Sequence, residues 1–298
     1  MELLKRVLTA VVLIPVFLLL ILRAPVPVLA FVTGVVALAA IHELLKLSEA
    51  YEIQPLRIPT YLFCGVFFVL IAVHPGSTDL LSTSAFSYIA LSATVLAPFV
   101  FLSIAMRRDQ LASAFPAAMV PAFGFVYVAV PLALLVQLRE QWRGSFLLLY
   151  LLLLVWAGDI FAYFIGKPFG RHRMSPRVSP HKTWEGAGAS VSASVAVGIL
   201  MFHYAQPISS ALLQAHLIER QNGIFEEWPV ATVIALSIAL NVAAQLGDLV
   251  ESLIKRGAGA KNSGALLPGH GGMLDRIDAL LFAAPVLWCY AAWHVMTQ

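Results

Sequence analysis

Charge is what this sequence has least of. Lys, Arg, Asp and Glu supply 12% of its 298 residues and apolar side chains 60%, where ordinary soluble domains carry about a quarter and just under half. A water-facing surface cannot be assembled from that supply, so a soluble globular protein is excluded, and disorder and a collagen-like chain with it. Cysteine is nearly as scarce. Cys64 and Cys289 both lie in apolar runs, which excludes a disulfide scaffold and reads as two small buried hydrophobes without redox chemistry. No internal repeat or inverted pair of broken helices is present, which weighs against a secondary transporter.

What is there is hydrophobic length. With mean hydropathy at +0.86, nine runs approach the roughly 20 apolar residues that a bilayer core of about 30 Å requires: 7–22, 26–41, 58–73, 85–106, 117–138, 145–165, 187–205, 229–250 and 278–296. A closed barrel is the other spanning solution, but continuous runs such as Leu147 to Trp156 lack the in/out alternation of barrel strands. The expected fold is therefore all-α: a polytopic integral membrane protein of about nine transmembrane helices, with 1–298 as a single membrane domain. Lys5-Arg6 before an apolar stretch imitates a signal peptide; with eight spans behind it, it reads as a retained first helix.

Positive charge chooses the orientation. With the N-terminus inside, fifteen of nineteen bases fall on the cytoplasmic side, leaving only Arg23, Arg139, Arg143 and Arg220 outside. N-in, C-out is expected.

Residues 1–140 have short loops and no evident reaction centre; Glu43, Lys46, Glu49, Glu52, Arg107, Arg108 and Asp109 read as interfacial anchors at helix ends. The outer segment 206–228 reads as a solvated loop. The character changes from Trp156 onward, where 145–298 reads as the catalytic part. Two long cytoplasmic connections, 166–186 and 251–277, are rich in Gly, Pro, Ser and bases.

In the eighth span Asn241, Gln245, Asp248, Ser252 and Lys255 recur at spacings of four, three, four and three. On a 3.6-residue helix that is one polar stripe. A hydrogen-bonded helix seam accounts for Asn241 and Gln245; it accounts less well for Asp248 with Glu251 beside it, since intramembrane carboxylates are costly. The ninth span opens Asp275-Arg276-Ile277-Asp278, placing two carboxylates on one face, and the sixth closes with Asp159. Asp248, Asp275 and Asp278 can converge at the cytoplasmic boundary with Asp159 close by. Such a cluster needs a cation, and oxygen-only ligands select Mg²⁺ or a similar hard ion over zinc. The alternative is helix-end salt bridges with Arg276, Arg256 and Lys255.

Between those helices, Gly257 to Gly264 and Pro268 to Gly272 offer unobstructed backbone N–H groups beside Lys255, Arg256 and Lys261, as phosphate sites do. The pattern matches neither G-x-x-x-x-G-K-[ST] nor G-x-G-x-x-G. His270 can donate to phosphate, act as an acid, or be a plain loop histidine. The other loop adds Ser179-Pro180-His181-Lys182-Thr183-Trp184-Glu185-Gly186, a mixture of hydroxyls, cation, aromatic and acid suited to ligand contacts. A metal-assisted phosphate centre follows, matched to a soluble polyphosphate and a phosphorylated lipid, with phosphoryl or nucleotidyl transfer as the chemistry.

At these residues the sequence resembles the phosphatidate cytidylyltransferases, or CDP-diacylglycerol synthases. The resemblance rests on Ser252-Leu253-Ile254-Lys255-Arg256, Lys261-Asn262-Ser263-Gly264 and His270-Gly271-Gly272-Met273-Leu274-Asp275-Arg276-Ile277-Asp278, 27 residues at fixed spacing. Gln245-Leu246-Gly247-Asp248 with Glu251, and Asp159 with Ala162-Tyr163, Gly166-Lys167, Gly170-Arg171 and 179–186, are similar too. Two positions depart: Asn262 stands where the family has Asp, and Ile160 where it has Thr. Asn keeps an oxygen ligand but removes a negative charge.

The resemblance implies transfer of CMP from CTP to phosphatidate with release of pyrophosphate. It implies Mg²⁺, with K⁺ as a candidate second ion in a paired site, and Asp248, Asp275 and Asp278 as ligands; Lys255 joins them as a catalytic residue. Substrate contacts fall to Asp159, Ser179, Lys182, Thr183, Ser252, Arg256, Lys261, Asn262, His270, Gly271, Gly272 and Arg276. Its partners would be CTP, phosphatidate and the bilayer, with no nucleic acid; a homodimer is left open. The lack of a soluble N-terminal extension resembles bacterial members, so a multi-pass protein of the inner (plasma) membrane with a cytoplasmic-facing site is expected. The rivals are a CTP-dependent kinase or cytidylyltransferase acting on another lipid, and a non-catalytic or transport relative.

Overall fold

The computed structural model describes residues 15–73, 80–141, 143–220, 223–225, 227–266 and 271–296. Among these, seven helices are long and apolar enough to cross a membrane, and an eighth, Arg57–Val73, is apolar but shorter. The protein is a polytopic all-α membrane protein. Of the first expected span, 7–22, residues 7–14 lie outside the described residues, as do Lys5 and Arg6; 15–22 are helical. Large apolar side chains such as Phe31, Val66, Tyr88 and Phe99 stand exposed on the helices, as a lipid solvent permits. Cys64 is buried as expected, but Cys289 is exposed; an apolar side chain need not be hidden from lipid.

The chain divides into two compact units, each drawn from more than one stretch. One boundary between the units falls at Glu140, and residues 254–277 group with the N-terminal helices.

The first unit holds α1 (Val26–Glu49), α2 (Arg57–Val73), α3 (Leu80–Ala105), α4 (Leu111–Gly124) and α5 (Val130–Glu140). Between α4 and α5 the turn widens to a π segment, Phe125–Ala129, where the Val130 N–H reaches back to the Phe125 carbonyl. Pro131 supplies the cause: it has no N–H, and its ring would strike the carbonyl four residues earlier in a regular helix. The α1 helix runs eight residues past the expected end at 41, and that extension carries Glu43 inward.

The second unit contains α6 (Gly144–Phe169), α7 (Trp184–His203), α8 (Ala205–Gln214), most of α9 (Val230–Gly257) and α10 (Leu274–Met296) from Asp278 onward. The segment expected to be a plain loop after α6 forms an antiparallel hairpin, β1 (Arg173–Ser175) with β2 (Ser179–Thr183), pairing Arg173 with Thr183. The segment 206–228, expected to be a solvated loop, also contains most of a short helix, α8.

Small residues set how closely these helices approach. A Cβ on Gly158 of α6 would lie 2.6 Å from Asn241 Nδ2 and 2.8 Å from Ser190 Oγ. Into that space Asn241 donates to Ser190 and Ser194 at 2.9 and 2.8 Å, and Ser194 donates to the Leu154 carbonyl at 3.0 Å. The upper part of the α9 stripe is thus a hydrogen-bonded seam. At the other end of α9, a Cβ on Gly247 would strike the Asp278 carbonyl, so backbone contact there depends on glycine.

Gly158→Ala should lower the unfolding free energy by about 1–3 kcal/mol through overpacking, read as a reduced thermal midpoint of the detergent-solubilised protein. Gly188→Ala, where a Cβ meets nothing within 4 Å, should leave that midpoint unchanged; equal effects would contradict the packing account.

Candidate functional site

In the second unit, α6, the hairpin, α7 and α9 enclose a cavity of about 570 Å³. Its cationic side is Lys167, Arg173 and Lys182, with His181; its carboxylates are Asp159 and Asp248; Tyr163, Ser190 and Gln245 add neutral polar groups. Lys182 Nζ lies 2.6 Å from Asp248 Oδ2, and Asp159 feels the charges of both. Ser252, one turn along α9, donates to Asp248 Oδ1 at 3.4 Å. Lys167 donates to the Tyr163 hydroxyl at 3.1 Å, which holds that ammonium at the end of α6.

The hairpin carries Lys182 to the cavity, and local contacts fix the hairpin. The Arg173 guanidinium donates to the Pro180 carbonyl across the turn. His172 presents Nδ1 to Glu185 at 2.6 Å and its backbone N–H to the same carboxylate at 3.3 Å. Thr183 ends the strand as the N-cap of α7, its hydroxyl oxygen accepting the Gly186 N–H at 3.2 Å. The motif read as a ligand loop is therefore half strand and half helix start. Thr183 lines the cavity, yet it is buried and its oxygen is engaged in capping. Ser179 sits at the start of β2, paired with Ser175, and does not line the cavity.

The first unit holds a second constellation, built on the glycine-rich segment. α9 ends in a Schellman arrangement: Gly259, at φ +65°, donates to the Arg256 carbonyl and Ala260 to that of Lys255, at 3.0 and 2.9 Å. Past it, Asp275 at the start of α10 gathers four groups. Lys255 Nζ lies 2.5 Å from Oδ1, and Oδ2 accepts the Gly272 N–H at 2.8 Å and the Ser263 N–H at 3.0 Å, with the Ser263 hydroxyl also at 3.0 Å. Glu43 lies beside them. Its Oε1 accepts the Met273 N–H at 2.9 Å; its Oε2 accepts the Leu274 N–H at 2.9 Å and the Ser263 hydroxyl at 2.8 Å.

These contacts revise the phosphate-cradle reading of the loop. The backbone donors of Ser263, Gly272, Met273 and Leu274 point at protein carboxylates, and Gly259 is a helix terminator. Gly271 is at φ +81°, with the position of a Cβ only 2.8 Å from Asp275 Oδ2. Arg256 is exposed and donates to the Ala260 carbonyl at 3.3 Å; Lys261, Asn262 and Arg276 are exposed, and Ser252 is buried. His270 lies outside the described residues.

Glu43 is not the interfacial anchor that its place at a helix end suggests: it is 2% exposed. The available signal was its face of α1, shared with buried Ala40 and Leu47.

No three His, Cys, Asp or Glu side chains converge among the described residues. The oxygen donors in the cavity nevertheless fit a Mg²⁺-like ion, which takes one or two carboxylates and completes its shell with water and substrate phosphates. Asp248 and Asp159 are the pair available there.

The fold and cavity describe a membrane-embedded protein suited to phosphate-bearing ligands. The Cytidylyltransferase family model matches residues 4–294, and the chain belongs to that family of nucleotidyltransferases. It is 32% identical over 234 residues to the phosphatidate cytidylyltransferase of Haemophilus influenzae, covering 78% of this chain and 67% of that one. With the Brucella abortus protein of the same name it shares 39% identity over 173 residues, 58% of this chain and 57% of the relative. With the Staphylococcus aureus one it shares 31% over 289 residues, 95% and 96% of the two.

The two ammonium–carboxylate pairs should differ in stability. Lys182 and Asp248 have side chains 26% and 40% exposed, so Lys182→Met should change the unfolding free energy by less than about 1 kcal/mol. Lys255 and Asp275 are 12% and 10% exposed; Lys255→Met leaves a buried carboxylate without its cation and should cost on the order of 3 kcal/mol. Chemical unfolding in detergent measures both, and equal losses would contradict the assignment.

Proposed function

We propose that the chain transfers CMP from CTP to phosphatidate, yielding CDP-diacylglycerol and pyrophosphate, at the cytoplasmic face of the inner (plasma) membrane with N-in, C-out topology. The carrying observation is the cavity wall of Lys182, Asp248 and Asp159 in a member of this family. Curated relatives named phosphatidate cytidylyltransferase support the choice of substrates.

The chemistry asks little of a general base. A phosphate monoester has a second pKa of about 6, so the lipid phosphate is largely dianionic at pH 7. One of its oxygens attacks the α-phosphorus of CTP, the bond from that phosphorus to the bridging oxygen breaks, and the electron pair leaves with pyrophosphate. What the protein must overcome is repulsion between two polyanions. Lys167, Arg173 and Lys182 bring three positive charges to the cavity against two carboxylates, a balance too small to neutralise a triphosphate. A Mg²⁺ ion, if bound there, would supply the remaining positive charge and polarise the phosphates. Asp248 would hold it, assisted by Asp159 on the same wall, with Asp278 next to the α9–α10 contact at Gly247.

Lys182 serves the substrate. Its ammonium is a point charge on a flexible stem, so it can pass from Asp248 to an incoming phosphate, freeing carboxylate oxygens for the ion. Lys255 orders Asp275, whose oxygens are engaged by protein donors; Asp275 as an ion ligand would require Lys255 to leave Oδ1. Arg256, Lys261 and Arg276 offer exposed positive charge to phosphates.

The test is purified protein with CTP and phosphatidate, with and without Mg²⁺, followed by detection of CDP-diacylglycerol and pyrophosphate. Label on the α-phosphate should enter lipid and label on the γ-phosphate should leave as pyrophosphate; γ-label in lipid would identify a kinase instead. Chelation should abolish turnover and Mg²⁺ restore it. Asp248→Asn should lower turnover at least about a hundredfold, the scale of a lost electrostatic group, in protein that remains folded; retained activity would overturn the ion assignment.

A further inference from the structure

We propose that Glu43 is a positioning residue for the reaction: from α1 its carboxylate fixes Ser263, Met273 and Leu274 and, through Ser263, the orientation of Asp275 and the Lys255 ammonium. This rests on the proposed function, and it assigns a task to a helix otherwise read as scaffold.

The argument is geometric. A carboxylate only 2% exposed is tolerated where donors surround it, and Glu43 has three, all from residues 220 to 231 positions away. Glycines allow the approach: a Cβ on Gly264 or on Gly272 would strike the Glu43 carboxylate. Two of the donors, the Met273 and Leu274 N–H groups, belong to the chain entering α10, so Glu43 anchors that entry from another helix.

The third donor links Glu43 to Asp275. The Ser263 hydroxyl has one proton and two acceptors within reach, Glu43 Oε2 at 2.8 Å and Asp275 Oδ2 at 3.0 Å, while its oxygen lies 3.3 Å from the Asp275 N–H. The shorter of the two contacts directs the proton to Glu43 Oε2. Asp275 Oδ2 is then held by the Gly272 and Ser263 N–H groups, in an orientation that presents Oδ1 to Lys255 at 2.5 Å. Replacing Glu43 by Gln converts one acceptor oxygen into a donor. One of the three donors loses its acceptor, and the hydroxyl is free to turn toward Asp275.

The experiment compares Glu43→Gln, Ser263→Ala and the double variant with the parent, each as the full-length protein in detergent, by kcat and KM for CTP and phosphatidate. Thermal midpoints and amide hydrogen exchange are followed in parallel. Both single variants should lose tenfold or more in kcat with KM for CTP changed less than threefold, at midpoints within a few degrees of the parent. The double variant should be no slower than the worse single one, because both act through the same hydroxyl. Exchange at the Met273 and Leu274 amides should quicken at least tenfold in Glu43→Gln. Parent-like kcat in folded Glu43→Gln, losses that multiply in the double variant, or activity falling only in step with the folded fraction would overturn the assignment. A parent without turnover would instead overturn the proposed function; Glu43 would then be judged by exchange, where unchanged protection at Met273 and Leu274 refutes it.

Discussion

A carboxylate removed from water must be surrounded by donors, and much of the first unit is arranged to meet that requirement. Glu43 and Asp275 together accept from the backbone of Ser263, Gly272, Met273 and Leu274, from the Ser263 hydroxyl and from Lys255. Ser263, Gly272 and Met273 lie outside helices and strands, between the end of α9 at Gly257 and the start of α10 at Leu274, so there the carboxylates perform the ordering that a helix or strand would perform elsewhere. Glycine at 264, 271 and 272 is the condition for this. At 264 and 272 a side chain would occupy the space of the Glu43 carboxylate, and at 271 it would meet positive φ and Asp275 together.

The second unit meets the corresponding problem with small side chains. In lipid, apolar contact alone gives helices no strong reason to associate, so close packing and interhelical hydrogen bonds do the work. Gly158, Ser190, Ser194 and Asn241 form such a junction, and Gln245 extends it by donating to Asn241 Oδ1 at 2.5 Å. One turn further along α9 the same face reaches Asp248, where the partner is the Lys182 ammonium and the space opens into the cavity. A single polar stripe thus begins as structure and ends as a ligand surface. Its seam fixes the rotation of α9, and that rotation aims Asp248.

The spans were legible because a run of apolar residues carries its meaning locally, and the helices begin or end within a few residues of the hydrophobic boundaries. The Asp248 stripe was legible for a similar reason: helical periodicity puts its members on one face wherever the helix goes. Glu43 was not, since its partners are more than 200 residues away in sequence and a lone acid past an apolar run looks the same whether it meets lipid headgroups or backbone amides. Thr183 illustrates a different ambiguity. A hydroxyl before Trp-Glu-Gly is as good an N-cap as a ligand, and only the extended φ and ψ of −128° and 154° with the Gly186 N–H in place select the cap. The glycine-rich loop carries the same ambiguity, because backbone N–H groups that suit phosphate oxygens suit carboxylate oxygens equally well.

That equivalence bears on how such a site handles polyanions. A triphosphate and a lipid phosphate present the same kind of oxygen that Asp248 presents to Lys182, so a substrate can compete for the protein's own donors only where those donors can be released. Lys182 is on a two-stranded hairpin and its ion pair is partly solvated, which makes exchange of partners inexpensive. Asp275 holds its donors in a largely buried network, where losing one leaves an unsatisfied group. The Asp248 pair is accordingly the exchangeable one and the Asp275 network the fixed one. In the proposed reaction, phosphate recognition therefore draws on the cavity cations and on the exposed Arg256, Lys261 and Arg276, and the backbone donors held by Glu43 and Asp275 serve as framework.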